Sequence, residues 1–156
     1  MPALRRKWRR RTVDRALIYL ALARKAGLVE LGEEPVGAVA RANRARLVIV
    51  ASDATDHSWR RALSYVDHTG QQCLRVPYSK DELGMAVGRQ SLAMAAFTDP
   101  GLALQFASAL GPGERYEAVK EDLQKRTERV RKHQQEQKAH RRNVRTGHVR
   151  RSGDKK

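Results

Sequence analysis

Leu47-Val48-Ile49-Val50-Ala51 is an unbroken apolar run, rich in β-branched side chains. It is too short for a buried helix and fits a strand covered on both faces, because neither alternate set of side chains could be left in water. Such a strand, the centre of a sheet, needs helices above and below it. The segments on either side must supply them.

Helical and extended patterns alternate along residues 13–110. Thr12 can cap a helix whose inward positions are Val13, Ala16, Leu17, Leu20 and Ala21, with Gly27 as its stop. Leu28 to Leu31 reads as a first strand. Gly32 opens a second helix with Pro35 in its first turn, where a missing amide donor does no harm, and Val36, Val39 and Ala40 on its buried stripe; Asn43 ends it. A third helix from about Asp56 places Trp59, Ala62, Leu63 and Val66 at helical spacing. Cys73 to Val76 is the next strand, stopped by Pro77. Ser79 and Glu82 have the capping-box spacing ahead of a fourth helix with Leu83, Ala86 and Val87 inward. Gly88 to Ser91 is a loop, Leu92 to Phe97 a further strand, and Asp99-Pro100 starts a fifth helix carrying Leu102, Phe106 and Leu110. The pattern predicts an α/β domain: a three-layer α-β-α sandwich around a small four-stranded mixed sheet.

Charge divides the chain differently. Of the 32 Lys and Arg and 17 Asp and Glu, residues 16–110 hold ten and nine, residues 1–15 seven and one, and residues 111–156 fifteen and seven. A nearly neutral domain at 13–110 therefore lies between a basic arm at 1–12 and a basic tail at 111–156, which holds only eight apolar residues. Tyr116, Val119, Leu123 and Val130 make a thin stripe in that tail, enough for a charged helix to about Lys138, with disorder expected beyond it. Both extensions call for a polyanionic partner, since phosphates neutralise Lys and Arg and release counterions. In the first arm Arg5, Arg6, Lys7, Arg9, Arg10 and Arg11 surround Trp8, which adds a stacking ring to the phosphate contacts.

The same sequence argues against other classes. Its longest apolar-leaning run, Ala16 to Ala23, falls short of a membrane span of about 20 residues. The basic start lacks a secretory cleavage pattern, which places the protein in the cytoplasm. Cys73 is the sole cysteine, so an internal disulfide and a cysteine zinc cluster are excluded. Ser52, Asp53 and His57 follow the end of the central strand, where open sheets place ligands, but Ser and Asp there ordinarily cap the next helix. His68, His133, His140 and His148 have no metal-ligand spacing, and the glycines form no phosphate loop. The reading is therefore non-enzymatic, with no cofactor, no metal and no small-molecule substrate.

The runs Leu83-Gly84-Met85-Ala86-Val87-Gly88 and Ala95-Ala96-Phe97-Thr98-Asp99-Pro100-Gly101 resemble the ribosomal protein family that includes large-subunit proteins L-seven-Ae and L-thirty-e. Leu20 to Gly27, Gly32-Glu33-Glu34 and Ala45 to Asp53 look like its bacterial YlxQ-type branch, and the resemblance spans about residues 13 to 110. It implies an α-β-α RNA-binding module. Members of the family grip kink-turns, sharply bent duplexes closed by sheared G·A pairs, using the start of the second helix and the loop before the last strand. The matching positions are Gly32, Glu33, Glu34, Pro35 and Val36, and Val87, Gly88, Arg89, Gln90, Ser91 and Leu92. The residue types suit the task independently: amides at a helix start bind phosphates or base acceptors, and apolar loop residues can accept an unstacked base. Family members carry an Asn or Lys, then a Glu or Gln, where this chain has Glu34 and Pro35, and a Lys where it has Ala38, which weakens base reading here.

The expected partner is structured RNA, kink-turn-like or ribosomal, with accessory phosphate contacts from the first arm and from Arg24 and Lys25; Arg41 and Arg44 join them if they face the same edge. Ribosomal or assembly proteins are further expected partners. Three other readings stand beside this one: a ribosome-associated adaptor that uses the helix from Glu114 for a protein partner, a general electrostatic binder of nucleic acid including DNA, and the substrate domain of an RNA-modifying enzyme whose catalytic half is elsewhere.

Overall fold

The computed structural model describes residues 15–154, and the side chains among them except at positions 114, 115 and 145–154. Ten elements follow in order: α1 (Arg15–Ala26), β1 (Val29–Leu31), α2 (Glu33–Arg41), β2 (Leu47–Val50), α3 (Asp56–Val66), β3 (Gln72–Arg75), α4 (Lys80–Ala86), β4 (Met94–Phe97), α5 (Pro100–Ala109) and α6 (Glu114–Asp154). Thr12, Val13 and the basic arm lie outside the described residues. The chain divides into two compact units, Met1–Gln124 and Lys125–Lys156.

The strand order is β1-β4-β2-β3. β2 and β4 are antiparallel, with Leu47 opposite Phe97 and Val50 opposite Met94, and every residue of both is buried. Their unbroken apolar runs are thus the two inner strands. The edges are more mixed: β1 pairs antiparallel with β4, and β3 runs parallel to β2. α1 packs with α4 and α5, and α2 packs with α3, which gives the three layers. Phe97 meets Phe106 of α5 with ring centroids 5.1 Å apart.

Local chemistry sets the helix starts. Ser79 and Glu82 form the capping box of α4, and Asp99 accepts from the Leu102 amide to cap α5. α3 is capped by Thr55, not by Ser52 or Asp53. Asp53 instead accepts the Lys80 amide at 2.8 Å, which fastens the β2–α3 loop to the start of α4. α3 buries less than its spacing suggests: Ala62 is enclosed, whereas Leu63 is 41% exposed. Trp59 is half-buried under the Arg75 guanidinium, 5.1 Å from the ring centroid. A helix lying toward the β3 edge of the sheet has only a narrow strip of neighbour to cover.

Packing continues beyond residue 110, because Val119 and Leu123 of α6 are buried. Lys120 helps to seat that helix by donating to the Gly111 carbonyl at 3.0 Å and to Glu117 at 3.1 Å. α6 runs on to Asp154, past the Lys138 limit read from the sequence. Its Gln, Glu, Lys, Arg and Ala residues are good helix formers, so the helix needs little buried surface to persist.

Candidate nucleic-acid interface

Gly32 fixes the start of α2. Its φ of 97° is a conformation that glycine adopts at little cost. Its amide donates to the Met94 carbonyl at 2.9 Å, and its own carbonyl accepts from Val36 at 3.1 Å. No side chain caps α2. The Glu33 and Glu34 amides therefore begin the helix without an intrinsic acceptor, as required of a site that receives an anion or a base acceptor. Pro35 contributes no amide.

The 87–92 loop is folded back on α4. Arg89 donates its amide to the Gly84 carbonyl at 2.8 Å, and Leu92 donates to Lys80 at 2.9 Å. A Cβ at Gly84 would fall 2.8 Å from both the Arg89 oxygen and the Ser91 nitrogen, so the loop can lie this low only over glycine. Arg89 also reaches the helix start: a Cβ on Gly32 would stand 3.9 Å from its Nη1 atom. The two segments singled out in the sequence thus meet through Gly32 and Arg89.

The eleven predicted contact positions do not all face outward. Glu34, Pro35, Gly88, Arg89, Gln90 and Ser91 are exposed, while Gly32 and Glu33 are half-buried. Val36, Val87 and Leu92 are buried in the hydrophobic core. Val87 and Leu92 anchor the ends of the loop, so the exposed surface it offers is Gly88 to Ser91. Glu33 is also committed, since its carboxylate meets Arg61 of α3 at 3.1 Å and accepts from the Ser58 hydroxyl at 3.5 Å. Its charge is offset within the protein.

Beside the helix start lies a shallow groove of about 560 Å³, lined by Glu34, Pro35, Ala38, Arg41, Arg61 and Tyr65. Tyr65 approaches α2 over Gly37, where a Cβ would sit 3.0 Å from the ring. The groove adds two guanidiniums and an aromatic ring to the edge marked by Glu34 and Pro35. Arg41 was among the sequence candidates. Arg61 and Tyr65 were not, because only the packing of α3 on α2 brings them there.

Arg24 and Lys25 are exposed in the last turn of α1, at the other end of β1 from Gly32. Arg5, Arg6, Lys7, Arg9, Arg10 and Arg11 lie outside the described residues. Among the described residues no group of three His, Cys, Asp or Glu side chains could hold a metal ion, and no helix is long and apolar enough to cross a membrane. Burial pushes the Cys73 thiol up to about 12, which keeps it protonated at neutral pH.

No protein-family model matches the chain. The RNA-binding protein YlxQ of Bacillus subtilis (strain 168) is 32% identical over 95 residues, covering 58% of this chain and 90% of that protein. The chain belongs to the YlxQ family. Among solved structures, this YlxQ-family chain is similar to a protein of unknown function from Bacillus halodurans C, with 26% identity, a TM-score of 0.57, and coverage of 61% of this chain and 95% of the other. A Giardia lamblia 15.5kD RNA binding protein shares the fold at 20% identity and a TM-score of 0.51, over 66% of this chain and 85% of its own.

Proposed function

We propose that this YlxQ-family protein binds structured RNA, of the kink-turn or ribosomal kind, along the edge formed by the start of α2 and the 88–91 loop. The observation that carries the reading is the placement of the Arg89 guanidinium beside Gly32, which sets a cation next to the amides of a helix start that no side chain caps. A phosphate or a base acceptor there gains amide donors, the helix dipole and an arginine fork together. The relationship to an RNA-binding protein of Bacillus subtilis supports the same ligand class.

Specificity in this reading comes from shape. The Glu33 carboxylate is paired with Arg61, and Pro35 and Ala38 have no polar arm, so the helix start offers backbone donors more than side-chain base readers. A bent duplex can bring its backbone to the helix start and the loop at once, whereas a straight helix of the same sequence meets them singly. Arg41, Arg61 and Tyr65 in the neighbouring groove extend the contact. The chain's basic extensions add attraction that does not depend on sequence.

Titrating the full chain against a labelled kink-turn RNA, the same helix without its bulge, and duplex DNA at two salt concentrations tests this. The expected result is a preference for the kink-turn that persists at the higher salt and falls in Arg89→Ala. Equal affinity for all three, with no effect of Arg89→Ala, overturns it.

A further inference from the structure

The unit Lys125–Lys156 contains the later part of α6, and every residue from Glu128 to Val144 is exposed. Residues 125–144 carry eight Lys and Arg against two Glu, a net charge of +6. Their apolar content is Val130, Ala139 and Val144, and the positions a coiled coil would need between them hold Gln137, His133 and His140. The helix offers no apolar stripe for another protein to cover.

Its cations are not spread evenly. Around a helix of 3.6 residues per turn, Arg131, Lys138, Arg141 and Arg142 share an arc of about 100°, with Gln134 inside it. Together they run along about 17 Å of the helix axis. Glu136, the acidic residue between Arg131 and Arg142, lies about 170° from the middle of that arc, and Glu128 sits one turn before it. The other four cations, Lys125, Arg126, Arg129 and Lys132, fall outside the arc. One face is a continuous positive track, and the opposite face is of mixed charge.

We infer that the face bearing Arg131, Lys138, Arg141 and Arg142 is a second RNA-binding surface, which follows the sugar-phosphate backbone of a duplex. The inference rests on the RNA-binding reading above. Three arginines and a lysine on one line match a row of phosphates, because guanidinium forks bind phosphate oxygens bidentately and a helix face holds them in register. The surface does not read bases: the deep major groove of A-form RNA keeps side chains from the base edges, so contacts are with the backbone. It supplies affinity and orientation, and leaves discrimination to the α2 edge.

The test compares two full-length variants of equal net charge. One carries Arg131→Gln, Lys138→Gln, Arg141→Gln and Arg142→Gln; the other carries Lys125→Gln, Arg126→Gln, Arg129→Gln and Lys132→Gln. Circular dichroism checks that both keep the helix. Each is titrated by fluorescence anisotropy over a range of salt, against a labelled kink-turn RNA and a labelled straight RNA duplex. The on-track variant is expected to bind both RNAs at least about tenfold more weakly, and to flatten the dependence of log Kd on log salt by about three. The off-track variant is expected to change Kd by less than about threefold.

Equal losses in the two variants overturn the directional track while leaving the RNA-binding reading intact. Unchanged RNA binding in the on-track variant also overturns it. If the wild-type chain binds both RNAs equally and only the on-track variant loses affinity, the kink-turn reading of the α2 edge fails and the track stands. Failure of the wild-type chain to bind either RNA overturns both.

Discussion

The Arg89–Ser91 backbone rests on Gly84, whose carbonyl accepts the Arg89 amide at 2.8 Å and whose Cα faces the loop so closely that a Cβ would lie 2.8 Å from the Arg89 oxygen. Both contacts are with backbone, which cannot swing aside as a side chain would. Gly84→Ala should therefore lift the loop and move Arg89 away from Gly32. Overpacking of this kind costs about 1–3 kcal/mol, against which the better helix propensity of Ala returns at most about 1 kcal/mol. A lower urea midpoint, together with a weaker preference for kink-turn over straight RNA, is the expected outcome. An unchanged preference would separate the loop from recognition.

Much of the fold was legible because its signals are local. The apolar runs at Leu47–Ala51 and Leu92–Phe97 mark the two inner strands, and the Ser79–Glu82 and Asp99–Pro100 starts are decided within four residues of chain. What stayed hidden depends on distant parts of the chain meeting. Nothing near Glu33 announces an ion pair with Arg61, 28 residues away. Val87 and Leu92 are buried, as the inward helix position and the strand start suggest, but the folding of the loop between them back onto Gly84 has no local signal. The exposed part of the candidate site, Glu34, Pro35 and Gly88 to Ser91, was singled out only through the family resemblance, since composition alone points to nucleic acid without placing it.

Gln71 has the same character, a polar residue that looks like a surface position and is 6% exposed. Its Oε1 accepts the Ala45 amide at 2.8 Å, and its Nε2 donates to the Ala40 carbonyl at 3.0 Å and to the Thr69 hydroxyl at 2.9 Å. This ties the end of α2 to the entry of β2. Gln71→Leu would leave the buried Ala45 amide without a partner, at a cost of about 1–3 kcal/mol, and the Ala40 carbonyl with only the Asn43 amide at 3.0 Å. The expected loss in urea denaturation is about 1–3 kcal/mol. Gln71→Glu should be at least as damaging, because a carboxylate cannot donate to Ala40. A change within experimental error would contradict the role assigned to this side chain.

The Glu33–Arg61 pair should matter more for binding than for folding. The two side chains are 32% and 52% exposed, so solvent screening limits the pair to less than about 1 kcal/mol of stability. Arg61→Gln uncovers the Glu33 carboxylate beside the helix start and removes a cation from the groove. RNA affinity should fall several-fold while the melting temperature shifts by only a few degrees at most. The double variant Arg61→Gln with Glu33→Gln should recover part of the affinity; no recovery would mean that Arg61 acts through the groove alone.

Cys73 predicts a pH signature. Burial raises its pKa from the ordinary 9.0 to about 12, so the folded protein holds the thiol proton more tightly than the unfolded chain. Stability from this group is complete below pH 9.0 and is lost as pH rises toward 12. Iodoacetamide at pH 8 should label the folded protein roughly a thousandfold more slowly than the same chain in denaturant. Equal labelling rates would show the thiol to be open to solvent.

In the proposed mode of binding, RNA meets this protein where the start of α2 adjoins the 88–91 loop. Amide shifts of the isotopically labelled full chain, followed by NMR as kink-turn RNA is added, address it residue by residue. The account predicts the largest changes at Gly32, Glu33, Glu34, Arg89, Gln90 and Ser91. Changes confined to residues 125–156, with those six amides unmoved, would contradict it.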